Sequence, residues 1–307
     1  MSLRDWLRES TDDVRERGWD GLGESAYQLY LGAWKRTEWV YDYGQHVYDE
    51  EWDLLVVLDA CRYDLATEVE DEYDWLSVES SYSVGGASHE WIRKTFSDGY
   101  RDEVARTAYV TGNPFSDNLL SGAEFALLDE VWERDWDYEA GTIRPNTLTD
   151  RAIHHHRERD PERMVIHYMQ PHHPFVADPL DGGPSKNNPG EPGKNVWQRI
   201  REGEVDPDAA WDAYRENLRY VLDDVERLLE NVDAPEVVIT SDHGNLFGEW
   251  FLYGHENGVL APTLRRVPWC RTSATDTGSV TPTFDESEPT NADDESVQQR
   301  LAELGYL

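Results

Sequence analysis

Two spacings of apolar residues alternate along this chain. In "EWDLLVVLDACRYD" (51–64) the residues Leu54 to Leu58 form an unbroken apolar run between charges. Such a run fits a central parallel strand, which is covered on both faces and has no reason to alternate. "WLSVES" (75–80), "TAYVTGNP" (107–114), "RMVIHYM" (163–169) and "EVVITS" (236–241) are further strand candidates, short and rich in β-branched and aromatic residues. Between the last two, Trp211, Tyr214, Leu218, Val221, Leu222, Val225 and Leu229 mark one face of an amphipathic helix. Strand, helix and strand in that order predict a βαβ crossover, hence an α/β fold with a mostly parallel sheet.

Residues 1–48 are charged but carry Trp6, Leu7, Val14, Trp19, Tyr27, Tyr30 and Trp34 at roughly helical spacing, a helical segment expected to pack on something larger. The main domain is expected over 49–270. From about 271 the composition turns to Ser, Thr, Asp and Glu, predicting an acidic linker through 271–307 that ends in a short helix, "VQQRLAELGYL". Residues 177–207 are heavy in Gly, Pro and Asn and read as a long excursion that serves as a lid or substrate loop. No internal repeat is present.

The 307 residues suffice for one large domain with its own core. Charge changes the picture more: 63 acidic against 28 basic residues give a formal net charge of -35, with only four lysines. Molar salt shortens the screening length to about 3 Å, which removes the self-repulsion of such a surface. The chain therefore reads as halophilic. The acid is spread along the whole sequence rather than confined to tails, and no basic stripe is available for phosphate backbones, so nucleic acid is not an expected partner. Two cysteines, Cys61 and Cys270, provide neither a disulfide framework nor a thiolate zinc cluster. With no run of 18 apolar residues and no signal-peptide core in "MSLRDWLRES", the expectation is a soluble cytoplasmic protein, with an amphipathic membrane contact left open.

In open α/β sheets ligands collect at the carboxyl ends of strands. Asp59 closes "LLVVLD" and Asp242 closes "VVITSD", followed at once by His243. Alone, Asp59 fits a helix cap and the Asp242-His243 pair fits a turn. Together, two carboxylates and an imidazole at one sheet edge call for a divalent cation. Oxygen and imidazole donors without thiolates suit Zn, Mn, Mg or Ca.

The blocks "VVLDACRYD", "HYMQPHHPF", "ITSDHGNLFGE" and "YGHENGVLAPTLRRVPW", in that order over residues 52–270, resemble the alkaline phosphatase superfamily, in particular its sulfatase-like hydrolase and phosphoglycerol-transferase branch. The resemblance implies a three-layer αβα sandwich and a metal-dependent hydrolase or transferase of ester bonds. It implies Asp59, Asp242 and His243 as metal ligands, His255 reaching the metal or the transferring group, and His172 contacting substrate oxygens, with His173 as the alternative to His172. Its nucleophile would be a hydroxyl at a helix start after the first ligand. Ser88, before "HEWIRKTF", is the choice, Ser83 the next, with Gly85, Gly86 and Ala87 as an open loop for a tetrahedral group. An ordinary N-cap is the competing role for Ser88.

No Cys-x-Pro-Ser-Arg signature follows, and Cys61 comes too early to supply it, so phosphate-ester chemistry is favoured over sulfate-ester chemistry. The Asp four residues before a mid-chain His that two-metal members carry is absent near His167 and His172, so one metal is favoured over two. The expected substrate is a phosphate or sulfate ester, with a glycan or lipid head group among its possible acceptors. A true sulfatase, or a catalytically silent binding or scaffold relative, is the alternative. Arg62 has no assigned role, and the triplet His154, His155 and His156 is expected on a solvated helix surface.

Overall fold

The structure, a computed structural model, describes residues 19–35, 43–180, 194–283 and 300. The apolar run forms β1 (Leu54–Leu58), buried at every position. In chain order there follow β2 (Glu79–Tyr82), β3 (Thr107–Thr111), β4 (Leu127–Glu130), β5 (Arg163–Tyr168), β6 (Ala234–Thr240), the small hairpin of β7 (Leu246–Phe247) and β8 (Tyr253–Gly254), and β9 (Arg266–Ala274). Seven of them form one sheet of order β2-β9-β6-β1-β5-β3-β4. β1, β3, β4, β5 and β6 run parallel, and β9 is antiparallel to both β6 and β2.

The principal helices are α1 (Trp19–Lys35), α2 (Tyr63–Val69), α3 (Ser88–Thr95), α4 (Pro145–Arg159), α5 (Val196–Arg201) and α6 (Pro207–Leu229). Leu54, Val56 and Leu58 enter one core with α2, α4 and α6. Leu55 and Val57 enter the other with Trp91 and Ile92 of α3. Two helical layers thus enclose a mostly parallel sheet, and the unbroken apolar run is the consequence of burial on both sides. A satellite core joins Leu31 of α1 to Leu246, Leu252, Val259, Ala261 and Leu264, so the N-terminal helix does pack on the larger body.

Several elements differ from expectation. The strand expected at 75–80 forms at Glu79–Tyr82, where only Ser81 is buried, because it pairs with β9 at the margin of the sheet. β9 runs through residue 270 to Ala274, so residues 271–274 belong to the sheet rather than to a linker. α6 begins at Pro207, four residues before its apolar stripe. Proline suits the first helical position, and the Asp206 carboxylate accepts from Asp208 N at 3.0 Å. Of the excursion over 177–207, residues 194–207 include α5, started by a capping box of Asn195 and Gln198, while 181–193 lie outside the described residues. The expected C-terminal helix also lies outside them, apart from Arg300, whose guanidinium stands 5.2 Å from the Trp132 ring.

His155 departs from the solvated-surface expectation: it is buried, and its Nε2 lies 2.7 Å from Asp129 Oδ2. Its neighbours His154 and His156 are half-buried. Cys61 and Cys270 are both buried free thiols, pushed up in pKa by burial, Cys270 to about 12.

Candidate active site

The parallel strands deliver their following loops to one edge, and the sheet's register decides what meets there. Val57 of β1 lies opposite His167 of β5 and Thr240 of β6, which brings Asp59 beside Asp242 and His243. One donor atom from each of Asp59, Asp242 and His243 lies within 4.8 Å of the other two, and all three residues are buried. The turn after β1 places Ala60 at φ 60, a left-handed conformation that raises a non-glycine residue by about 1–2 kcal/mol. In that turn Ala60 N donates to Asp242 Oδ1 at 2.9 Å, and His243 N donates to the same oxygen at 2.9 Å. Oδ1 is thereby fixed by two backbone donors, while Asp242 Oδ2 has no hydrogen-bond partner.

His243 Nδ1 donates to the Gly244 carbonyl at 2.7 Å, which in the neutral ring leaves the lone pair on Nε2. That Nε2 stands 3.4 Å from Asp242 Oδ2 and 3.7 Å from Asp59 Oδ1. Gly244 is required by close approach: a Cβ there would meet the Thr263 carbonyl oxygen at 2.6 Å. Burial pushes the Asp242 carboxyl up, but His243, His167 and the Ala60 N–H outweigh it and hold it below the usual carboxylate range.

Ser88 is the first residue of α3. The cap position belongs to Ala87. The Ser88 Oγ lies 3.2 Å from Asp59 Oδ2 and 3.2 Å from His243 Nε2. Ser83 takes a different role. Its hydroxyl donates to the Asp242 carbonyl and accepts from Gly85 N, so it braces the loop backbone. The glycines before Ser88 are packed rather than open: a Cβ at Gly85 would lie 2.6 Å from Trp91 N, and Gly86 N donates to Glu90 Oε2 at 2.9 Å.

His172 and His255 meet through their Nε2 atoms at 2.9 Å. His172 Nδ1 donates to the His173 carbonyl, which makes His172 Nε2 the acceptor and His255 Nε2–H the donor between them. The His255 ring centre lies 4.6 Å from that of His243, so this pair adjoins the Asp59 cluster. Burial first, then the neighbouring imidazoles, pushes both histidines well below their ordinary pKa, and burial takes His173 down to about 3. His173 Nδ1 stands 3.1 Å from His172 Nδ1, behind the pair rather than in it.

Two residues without a sequence assignment join the site. Asn113, after β3, donates from Nδ2 to Asp59 Oδ2 at 3.0 Å. His167, inside β5, points its Nε2 at Asp242 Oδ2 (3.5 Å) and Asp59 Oδ2 (3.8 Å). Arg62 is structural: it bonds Asp64, the Asn245 carbonyl and Glu249, and stacks over Trp211. It ties the end of β1 to the loop that carries β7.

The set fits a divalent ion. Donors about 2.0–2.2 Å from a tetrahedral ion sit about 3.3–3.6 Å apart. The observed spacings around His243 Nε2 are 3.2 Å to Ser88, 3.4 Å to Asp242 and 3.7 Å to Asp59. The unpartnered Asp242 Oδ2 is the oxygen such an ion would satisfy.

A cleft runs alongside, lined by Ala87 and His89 on either side of Ser88, by His255, and by Tyr27, Trp197 and Arg201. No helix among the described residues is long and apolar enough to cross a membrane.

No family model matches the chain, and no curated protein matches it. Solved structures similar to it include the C-terminal periplasmic domain of a phosphoethanolamine transferase from Campylobacter jejuni, at 16% identity over 72% of this chain and 78% of that one, TM-score 0.45. The soluble domain of lipooligosaccharide phosphoethanolamine transferase A from Neisseria meningitidis is 14% identical over 82% and 86%, TM-score 0.45. The C-terminal periplasmic domain of EcEptC from Escherichia coli, in complex with Zn, is 9% identical over 80% and 79%, TM-score 0.48. At such distances the side chains of this chain, not the likeness, carry the chemistry.

Proposed function

We propose that the chain is a metal-dependent phosphotransferase or hydrolase of phosphate esters, acting on phosphodiesters in preference to sulfate esters through Ser88, in the sulfatase-like branch of the alkaline phosphatase superfamily. The observation that carries this is the buried Ser88 hydroxyl at a helix start, sharing its contacts between Asp59 and His243 at the carboxyl edge of the sheet. Asp59, Asp242 and His243 would hold the ion. When bound, it supplies positive charge that lowers the hydroxyl's pKa and neutralises phosphoryl oxygens.

Ser88 Oγ attacks phosphorus, forming an O–P bond as the bond to the leaving alkoxide breaks. Its proton passes to Asp59 Oδ2, the acceptor at 3.2 Å. The leaving oxygen accepts a hydrogen bond from His255 Nε2–H, which His172 holds in the donor tautomer, and takes its proton from solvent. The acceptor, water or a hydroxyl, then attacks phosphorus, releases its proton to solvent and displaces Ser88, which recovers its own proton from Asp59. The N-terminal end of α3 favours the anionic group throughout. Tyr27 and Trp197 offer aromatic faces beside the amides of Gln198 and Asn257, a lining suited to a glycan or a lipid head group as acceptor. The net charge of -35 favours a high-salt setting for this chemistry.

Purified protein in molar KCl, supplied in turn with Zn, Mn, Mg and Ca, should turn over a chromogenic phosphodiester faster than the corresponding phosphomonoester or sulfate ester. Silence on all three with stoichiometric metal bound would assign a binding or scaffold role instead.

A further inference from the structure

We propose that His167 is an additional ligand of the ion, so that two imidazoles and two carboxylates hold it; this rests on the metal reading above. His167 is fully buried in β5 between apolar neighbours, an unusual place for an imidazole unless both its nitrogens have partners. Nδ1 has one, the Tyr109 hydroxyl at 2.9 Å. Nε2 has none. It faces Asp242 Oδ2 at 3.5 Å, itself a fully buried oxygen without a hydrogen bond, and Asp59 Oδ2 at 3.8 Å.

Two unpartnered buried atoms of complementary donor type, one a carboxylate oxygen and one an imidazole nitrogen, are both satisfied by a cation between them. These two carboxylate distances are close to those of His243, while His167 stands outside the group whose donor atoms all lie within 4.8 Å of one another, so ion binding draws its ring inward. The Tyr109 hydroxyl then accepts from Nδ1–H and fixes the tautomer that leaves the Nε2 lone pair for the ion, as the outer partners of metal-bound histidines do. A proton on Nε2, donated to Asp242, is the competing arrangement, and it would leave His243 as the sole imidazole on the metal. A second imidazole has a chemical consequence: it moves the preference away from Mg and Ca, which take oxygen donors, toward Zn.

X-ray absorption on the full chain loaded with Zn in molar KCl counts bound imidazoles directly. The expected count is two in the unmutated protein and one in His167→Gln, with Zn affinity in a chelator competition lowered by about tenfold or more. Tyr109→Phe should keep both imidazoles and lose less affinity. A count of one in the unmutated protein with stoichiometric Zn overturns the role of His167 and leaves the three-residue site standing, whereas failure to bind Zn or any of the other ions overturns both. The count in the unmutated protein decides the matter even where a variant fails to fold.

Discussion

Replacing Ser88 by alanine deletes one oxygen and leaves its surroundings tied down. Asp59 Oδ2 keeps the Asn113 amide at 3.0 Å, and His243 keeps the Gly244 carbonyl at 2.7 Å. The expected loss of stability is that of one buried hydrogen bond, about 1 kcal/mol. In a chain of this size that is a Tm decrease of about 2–4 °C. Asp59, Asp242 and His243 remain, so the variant should still bind metal. Turnover is another matter, because in the proposed mechanism the Ser88 Oγ is the attacking atom. Loss of a covalent nucleophile should lower kcat by about 10⁴-fold or more, equivalent to over about 5 kcal/mol of transition-state stabilisation. A loss of about 1 kcal/mol from a typical stability of about 5–15 kcal/mol unfolds almost nothing, so inactivity could not be blamed on unfolding. Initial rates on a phosphodiester, calorimetry and metal content measured on the same preparation test this, with intact mass of the unmutated protein reporting the phosphoserine. A variant that keeps more than about a tenth of the rate at full metal content would remove Ser88 from the mechanism.

Three further outcomes follow from the same geometry. An ion at a hundred times its Kd should stabilise the fold by about 2.7 kcal/mol, or about 5–10 °C in Tm after dialysis against chelator and reloading. Asp242→Asn should abolish that increment in differential scanning calorimetry. Burial raises the Asp224 carboxyl to about 6, with Arg227 opposing and Asp150 and Asp223 adding. The folded state therefore keeps this proton to higher pH than the unfolded chain, so stability falls by up to about 3 kcal/mol as pH rises from about 4 to about 6, and Asp224→Asn should raise Tm near pH 8 but not near pH 4. Raising KCl from about 0.1 M to about 1 M shortens the screening length from about 10 Å to about 3 Å, so Tm should climb across that range. A flat salt profile would count against halophily.

The parts of the site legible in sequence were those that a single rule reaches. Asp59 and Asp242 follow apolar runs, and strand ends in α/β sheets carry ligands. Ser88 stood before a clear helix. Asn113 obeys the same strand-end rule in "TGNP", after β3, but an amide carries no charge to draw attention. His167 was hidden differently, as one polar residue inside "RMVIHYM", where a period-two pattern shows only that a face changes. Which face it enters depends on β5 pairing with β1, a contact more than 100 positions away in sequence. β9 escaped notice because "RVPWCRTSA" mixes proline and polar residues, and its place between β6 and β2 is set by antiparallel pairing. Gly85 looked like room for a ligand, and only the Trp91 backbone against it shows that the space is already taken.

The electrostatics of the sheet edge make the case for an ion without reference to any relative. Carboxylate charges within 4.8 Å of one another repel by about 3.5 kcal/mol at an effective dielectric of about 20. Burial alone would relieve this by protonating one of them. For Asp242 that route is opposed by two backbone N–H groups that donate to Oδ1 and favour the ionised form. The left-handed turn at Ala60 is what aims one of those N–H groups, so local strain is used to keep a charge rather than to remove it. The His243 Nδ1 proton is committed to the Gly244 carbonyl, and its Nε2 faces the carboxylate oxygens. A site that holds its negative charge in this way, and leaves Oδ2 of Asp242 and Nε2 of His167 unpartnered beside it, is complete only with a cation at its centre.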